Sequence, residues 1–95
     1  MSYEVIFDPG ALREFDKLPK GQQERVAKLI DDLAENPRPI GAEKMTDVEA
    51  YKVRLRDFRI VYLVKDEALI VLVVKIGNRR DVYKDIGTIR KRLKK

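Results

Sequence analysis

A chain of 95 residues can bury only one modest hydrophobic core, so a single domain spanning residues 1–95 is expected. It contains no cysteine and no histidine, which excludes disulfides, thiolate nucleophiles, the usual zinc sites and the commonest acid–base catalyst of neutral pH. The net charge of +5 conceals an asymmetry: residues 1–49 carry 7 basic and 11 acidic side chains, residues 50–95 carry 14 and 5, and the halves are −4 and +9.

Tyr3 to Phe7 alternates toward apolar, β-prone residues and predicts a short strand. Asp8-Pro9 supplies an N-cap followed by proline at the first helical position, opening a helix with Ala11, Leu12, Phe15 and Leu18 on one face. Pro19 and Gly21 are expected to break it. A second helix runs to about Glu35, with Val26, Leu29, Ile30 and Leu33 at helical spacing and Glu24, Arg25, Lys28, Asp31 and Asp32 largely opposite. Asn36-Pro37 ends that helix, and 38–41 is a loop.

From Tyr51 the period changes to two: Tyr51, Val53 and Leu55 point one way, Lys52, Arg54 and Arg56 the other. Phe58 to Lys65 predicts a second strand, Asp66-Glu67 a turn, and Ala68 to Ile76 an almost wholly apolar strand for the sheet interior, with Gly77-Asn78 closing the sheet. Between Tyr83 and Lys95 the chain is basic, with Ile86, Ile89 and Leu93 spaced for a short C-terminal helix. The order defines an α+β domain, an N-terminal strand, a two-helix hairpin and an antiparallel β-meander, with both helices on one sheet face and the other face free for function.

A positive field concentrated in the second half favours a polyanionic partner, nucleic acid above all, although a solvated lysine-rich surface accounts for net charge alone equally well. No run of about 18 apolar residues occurs, and Met1-Ser2-Tyr3-Glu4 has neither the basic start nor the apolar run of a signal peptide. A soluble, cytoplasmic protein without membrane contact is expected.

Three segments in order, Tyr51-Lys52-Val53-Arg54-Leu55-Arg56, Phe58-Arg59-Ile60-Val61-Tyr62 and Val74-Lys75-Ile76-Gly77-Asn78-Arg79-Arg80-Asp81-Val82-Tyr83, follow two amphipathic helices. In these the chain resembles the RelE/ParE toxin superfamily. The resemblance implies a microbial ribonuclease-like fold and the toxin of a type II toxin–antitoxin system. It further implies a hetero-oligomer with a RelB-like antitoxin and either of two targets: messenger RNA in the ribosomal A site for RelE-type members, or DNA gyrase for ParE-type members. Lys52, Arg54, Arg59, Arg79 and Tyr83 match the RelE-type catalytic positions. The family often has His where this chain has Asn78, and some RelE toxins have Lys where it has Arg54.

Metal-free RNA cleavage, which needs no cofactor, requires a base for the ribose 2′-OH, positive charge on the phosphorane-like transition state and help for the departing 5′ oxygen. Lys52 and Arg54 are two residues apart on a strand and so share a face at about 6.6 Å, and Arg59 follows on the next strand. Arginine stays protonated while lysine can lose its proton among neighbouring cations, which makes Lys52 the general-base candidate. Arg59 and Arg79 suit phosphate oxygens, Arg79 also the leaving oxygen, and Tyr83 suits nucleotide orientation. Arg56, Arg80 and Lys75 are candidate RNA contacts. Alternation alone makes Lys52, Arg54 and Arg56 the solvated side of a strand; the added matches at Arg59, Arg79 and Tyr83 favour a site. A noncatalytic nucleic-acid-binding module remains a third possibility beside the two targets.

Overall fold

The computed structural model describes residues 2–45 and 50–78. Its elements are β1 (Glu4–Phe7), α1 (Pro9–Asp16), α2 (Lys20–Glu35), β2 (Glu43–Lys44), β3 (Ala50–Leu55), β4 (Phe58–Lys65) and β5 (Ile70–Asn78). They form an α+β fold around one five-stranded sheet of order β1-β5-β4-β3-β2, with β1 parallel to β5 and the other neighbours antiparallel. The meander is thus flanked by two strands, β1 on one edge and the two-residue β2 on the other. β2 was beyond reach of a periodicity argument because two residues define no period.

The helix boundaries follow from local chemistry. The Asp8 carboxylate accepts from the Gly10 amide at 3.1 Å and Pro9 occupies the first turn, where its missing N–H costs nothing. α1 stops at Asp16, and α2 then starts at Lys20 with Pro19 in the cap position. Pro19 separates the helices as expected, but Gly21 lies inside α2 instead of in the break. Val26, Ile30 and Leu33 are the buried stripe of α2. α1 buries only Ala11; Leu12, expected on its apolar face, is 46% exposed.

The main core lies between helices and sheet, where the α2 stripe and Ala11 meet Tyr51, Val53, Ile60, Tyr62, Val64, Val71, Val73 and Ile76. These strand residues alternate by two along β3 and β4, as a one-sided apolar face requires. The opposite face is not wholly free: Met45, Ala50, Val61 and Val74 form a second buried cluster there, joined by Leu63 and Leu72. The expectation of an open second face is corrected accordingly, because β4 and β5 are apolar on both sides. A register shift between Val61 and Tyr62 leaves Val74 without a cross-strand partner. This bulge changes the alternation by one residue, so that Val73 and Ile76 both reach the helix side while Val74 packs with Val61 on the other.

Candidate nucleic-acid interface

The β3–β4 register determines which cations meet. Lys52 pairs with Val61 and Arg54 with Arg59, placing Lys52, Arg54 and Arg59 on the sheet face opposite the helices. β5 continues both rows: Lys75 pairs with Val61, and Gly77 with Arg59. Gly77, which has no side chain, is therefore the cross-strand neighbour of Arg59 on β5.

Arg59 is only 8% exposed, and among the described residues it is the one charged residue that is buried. Its Nη1 donates to the carbonyls of Arg56 at 3.3 Å and Phe58 at 3.2 Å. Neither acceptor carries a formal charge. Arg54 is exposed, and its Nε donates to the same Arg56 carbonyl at 3.5 Å. Lys52 is mostly buried, and its Nζ lies 3.8 Å from the Glu43 carboxylate across the β2–β3 pair. Arg56 sits in the two-residue connection between β3 and β4, exposed and with φ of 55°.

Lys75 is held differently. Its Nζ donates to Glu14 of α1 at 2.5 Å, while the other Glu14 oxygen accepts from the Ile76 amide at 3.2 Å. β1 ends at Phe7, opposite Val73, so Glu14 satisfies a β5 edge amide beyond the last residue of the edge strand. Arg79, Arg80 and Tyr83 lie outside the described residues, as does the expected C-terminal helix. The structure thus brings together Lys52, Arg54 and Arg59, with Arg56 at the end of the same hairpin and Lys75 tied to a helix.

A second polar constellation was not foreseen. The Arg38 guanidinium donates twice to Asp66, at 2.8 and 3.1 Å, and from Nε to the Tyr51 hydroxyl at 2.8 Å, with its carbon 5.3 Å from the Tyr51 ring centre. Tyr3 donates to the same Asp66 carboxylate at 2.7 Å. The bonds from Arg38 and then from Tyr3 hold Asp66 below the ordinary carboxylate range, and the bond to Asp66 lifts the Tyr3 phenol above its usual value. Behind them Tyr51 stacks on Tyr62 at 5.8 Å, and Tyr62, fully buried, donates to the Pro37 carbonyl at 2.7 Å. Burial pushes the Tyr62 phenol up to about 12. Tyr51 and Tyr62 belong to the helix-side core, whereas Lys52, Arg54 and Arg59 face away from it, so the network ties the 38–41 loop to the sheet. In sequence, Arg38 and Asp66 are a loop cation and a turn acid 28 residues apart, and no spacing rule joins them.

No helix among the described residues is long and apolar enough to cross a membrane. A small α+β protein with a cationic sheet face defines a class that the comparisons with known proteins specify. Residues 5–83 match the family described as "ParE toxin of type II toxin-antitoxin system, parDE". A RelE-like toxin protein of Escherichia coli is 41% identical over 87 residues, covering 87% of this chain and 92% of the relative. The mRNA interferase toxin RelE of Escherichia coli strain K12 is 37% identical over 90 residues, covering 90% and 94%. A crystal structure of the intact E. coli RelBE toxin–antitoxin complex contains a chain that superposes with a TM-score of 0.74 at 33% identity, covering 81% of this chain and 96% of that one. The chain belongs to the RelE/ParE family of toxins of type II toxin–antitoxin systems, and within it is RelE-like.

Proposed function

We propose that this chain is an endoribonuclease that cleaves messenger RNA in the ribosomal A site, using its own side chains and no metal ion. The carrying observation is Arg59, a buried guanidinium whose partners among the described residues are backbone carbonyls alone. A buried charge without a counter-charge is costly, and an anion placed against it offsets that cost. A phosphodiester reaching Arg59 also meets Arg54 across the strand pair and Lys52 one row away. The relative described as an mRNA interferase supports RNA as the source of that phosphate.

Lys52 takes the proton of the ribose 2′-OH, that oxygen attacks the adjacent phosphorus, the P–O5′ bond breaks, and the departing 5′ oxygen takes up a proton from water. The products are a 2′,3′-cyclic phosphate and a 5′-hydroxyl. Arg54 and Arg59 bind the non-bridging oxygens, and their charge-assisted bonds strengthen as negative charge builds in the transition state. The roles proposed for Arg79 and Tyr83, from the resemblance, are charge stabilisation of the leaving oxygen and orientation of the nucleotide. Arg56, Arg80 and Lys75 contact the RNA around the scissile bond, Lys75 on exchanging Glu14 for phosphate. A set of long cationic side chains fixes an RNA poorly for in-line attack, and the ribosome supplies the missing alignment.

The toxin acts in the cytoplasm and is silenced in a hetero-oligomer with a RelB-like antitoxin, a reading supported by the RelBE complex whose toxin shares this fold. Inhibition of DNA gyrase is the second reading, favoured by the match over residues 5–83 to a family described by its ParE member. Purified toxin on ribosomes programmed with a defined message separates them. A-site cuts bearing 2′,3′-cyclic phosphate ends are expected; uncut message together with inhibited gyrase supercoiling favours the second reading.

A further inference from the structure

We propose that the left-handed backbone of Arg56 is a positioning device for the cationic site. Arg56 and Leu69 are the non-glycine residues with positive φ among the described residues, at 55° and 52°. This conformation is uncommon for side-chain-bearing residues and persists where surrounding contacts enforce it. In both cases the carbonyl is used. That of Leu69 accepts from the Glu4 amide at 2.7 Å and joins β1 to the sheet. That of Arg56 accepts from two guanidiniums, Arg59 Nη1 at 3.3 Å and Arg54 Nε at 3.5 Å.

Arg54 and Arg59 are directly opposed like charges, an arrangement that drives the two side chains apart. One neutral acceptor between them restrains both while neutralising neither, so each keeps its full charge for a phosphate. A carboxylate in that place would hold the arginines more firmly and compete with the substrate. The tight connection, Leu55 paired with Phe58 across only Arg56 and Asp57, allows little freedom to re-aim the carbonyl. Arg56 therefore acts in two ways, its side chain towards RNA and its backbone towards the two arginines. This inference rests on the nuclease reading for its catalytic consequence, but not for the restraint itself.

The test compares Arg56→Gly with Arg56→Val. Both remove the side chain and any RNA contact it makes, while glycine accepts positive φ and the β-branched residue resists it. On programmed ribosomes, kcat is expected to be lower in the valine variant than in the glycine variant by on the order of tenfold, with similar KM. Nitrogen-15 relaxation of the Arg59 guanidinium is measured on the same proteins without RNA. Hindered rotation is expected in wild type and the glycine variant and faster rotation in the valine variant. If Arg56→Val does not fold, Arg56→Ala replaces it in both measurements. Equal guanidinium mobility in the two variants overturns the proposal whether or not the protein cleaves RNA; absence of cleavage in wild type overturns only the nuclease reading.

Discussion

Arg54 on β3 and Arg59 on β4 stand directly across from one another, one exposed and one buried, and donate to the same backbone carbonyl. Like charges in opposed strand positions destabilise a sheet. Among the described residues neither arginine has a carboxylate partner, and under the proposed function the RNA phosphate supplies that negative charge.

That cost has a measurable consequence. Arg59→Met removes the buried charge and keeps the apolar stem, so unfolding by urea is expected to show a gain of about 1 kcal/mol. The same variant is expected to lose cleavage by on the order of 100-fold, because no donor remains for the charge that develops on phosphate. A variant both less stable and equally active would show that Arg59 is structural.

Glu14 performs two tasks on β5, pairing with Lys75 and accepting from the Ile76 amide. Glu14→Ala leaves the half-buried amide and ammonium without this acceptor, and a loss of about 1–3 kcal/mol is expected in denaturant titration. Glu14→Gln retains an acceptor for Ile76 and removes the Glu14 negative charge that competes with phosphate for Lys75. Its affinity for single-stranded RNA is expected to rise, with a salt slope steeper by roughly 0.7 for the added phosphate contact. An unchanged slope would remove Lys75 from the RNA-binding set.

Two tyrosine-linked groups give the stability profile opposite signs at its two ends. Burial holds the Tyr62 proton until about pH 12, above the ordinary tyrosine value of about 10. Its contribution is complete below pH 10, where folded and unfolded chains are both protonated, and is lost as pH rises from 10 through 12. Tyr62→Phe should flatten this alkaline decline at a cost of about 1 kcal/mol for the bond to Pro37. Asp66 is shifted the other way by Arg38 and then Tyr3, so its contribution is present above the ordinary carboxylate range and disappears as pH falls through the lowered value. Asp66→Asn is expected to reduce the acid dependence of thermal unfolding, and an unaltered acid limb would count against that linkage.

Gly21 lies in the first turn of α2 with nothing within 4 Å of an added Cβ. Gly21→Ala should raise stability by about 0.5 kcal/mol through lower unfolded-state entropy, measured as an upward shift of the melting temperature. No gain would indicate that the turn preceding α2 needs the glycine.

Much of this arrangement was legible in the sequence because it depends on alternation. Tyr51, Val53 and Leu55 against Lys52 and Arg54 announce a two-faced strand, and Phe58–Lys65 was delimited at its end by the turn residues Asp66-Glu67. Arg59 was legible as a site residue only through resemblance, since its burial is a tertiary fact that strand alternation does not carry. Glu43 and Glu14 were missed for the same reason: each meets its lysine through an edge, a two-residue strand in one case and a helix beside β5 in the other. Gly21 was misread because helix starts tolerate glycine, and the break was already provided by Pro19.

The most direct test of the central claim is cleavage of a defined message on programmed ribosomes by wild type, Lys52→Ala and Arg59→Ala, each first shown by antitoxin binding and circular dichroism to be folded. A-site cuts by wild type and a loss on the order of 100-fold or more in both variants are expected. Wild-type cleavage rates in folded Lys52→Ala and Arg59→Ala would contradict that claim.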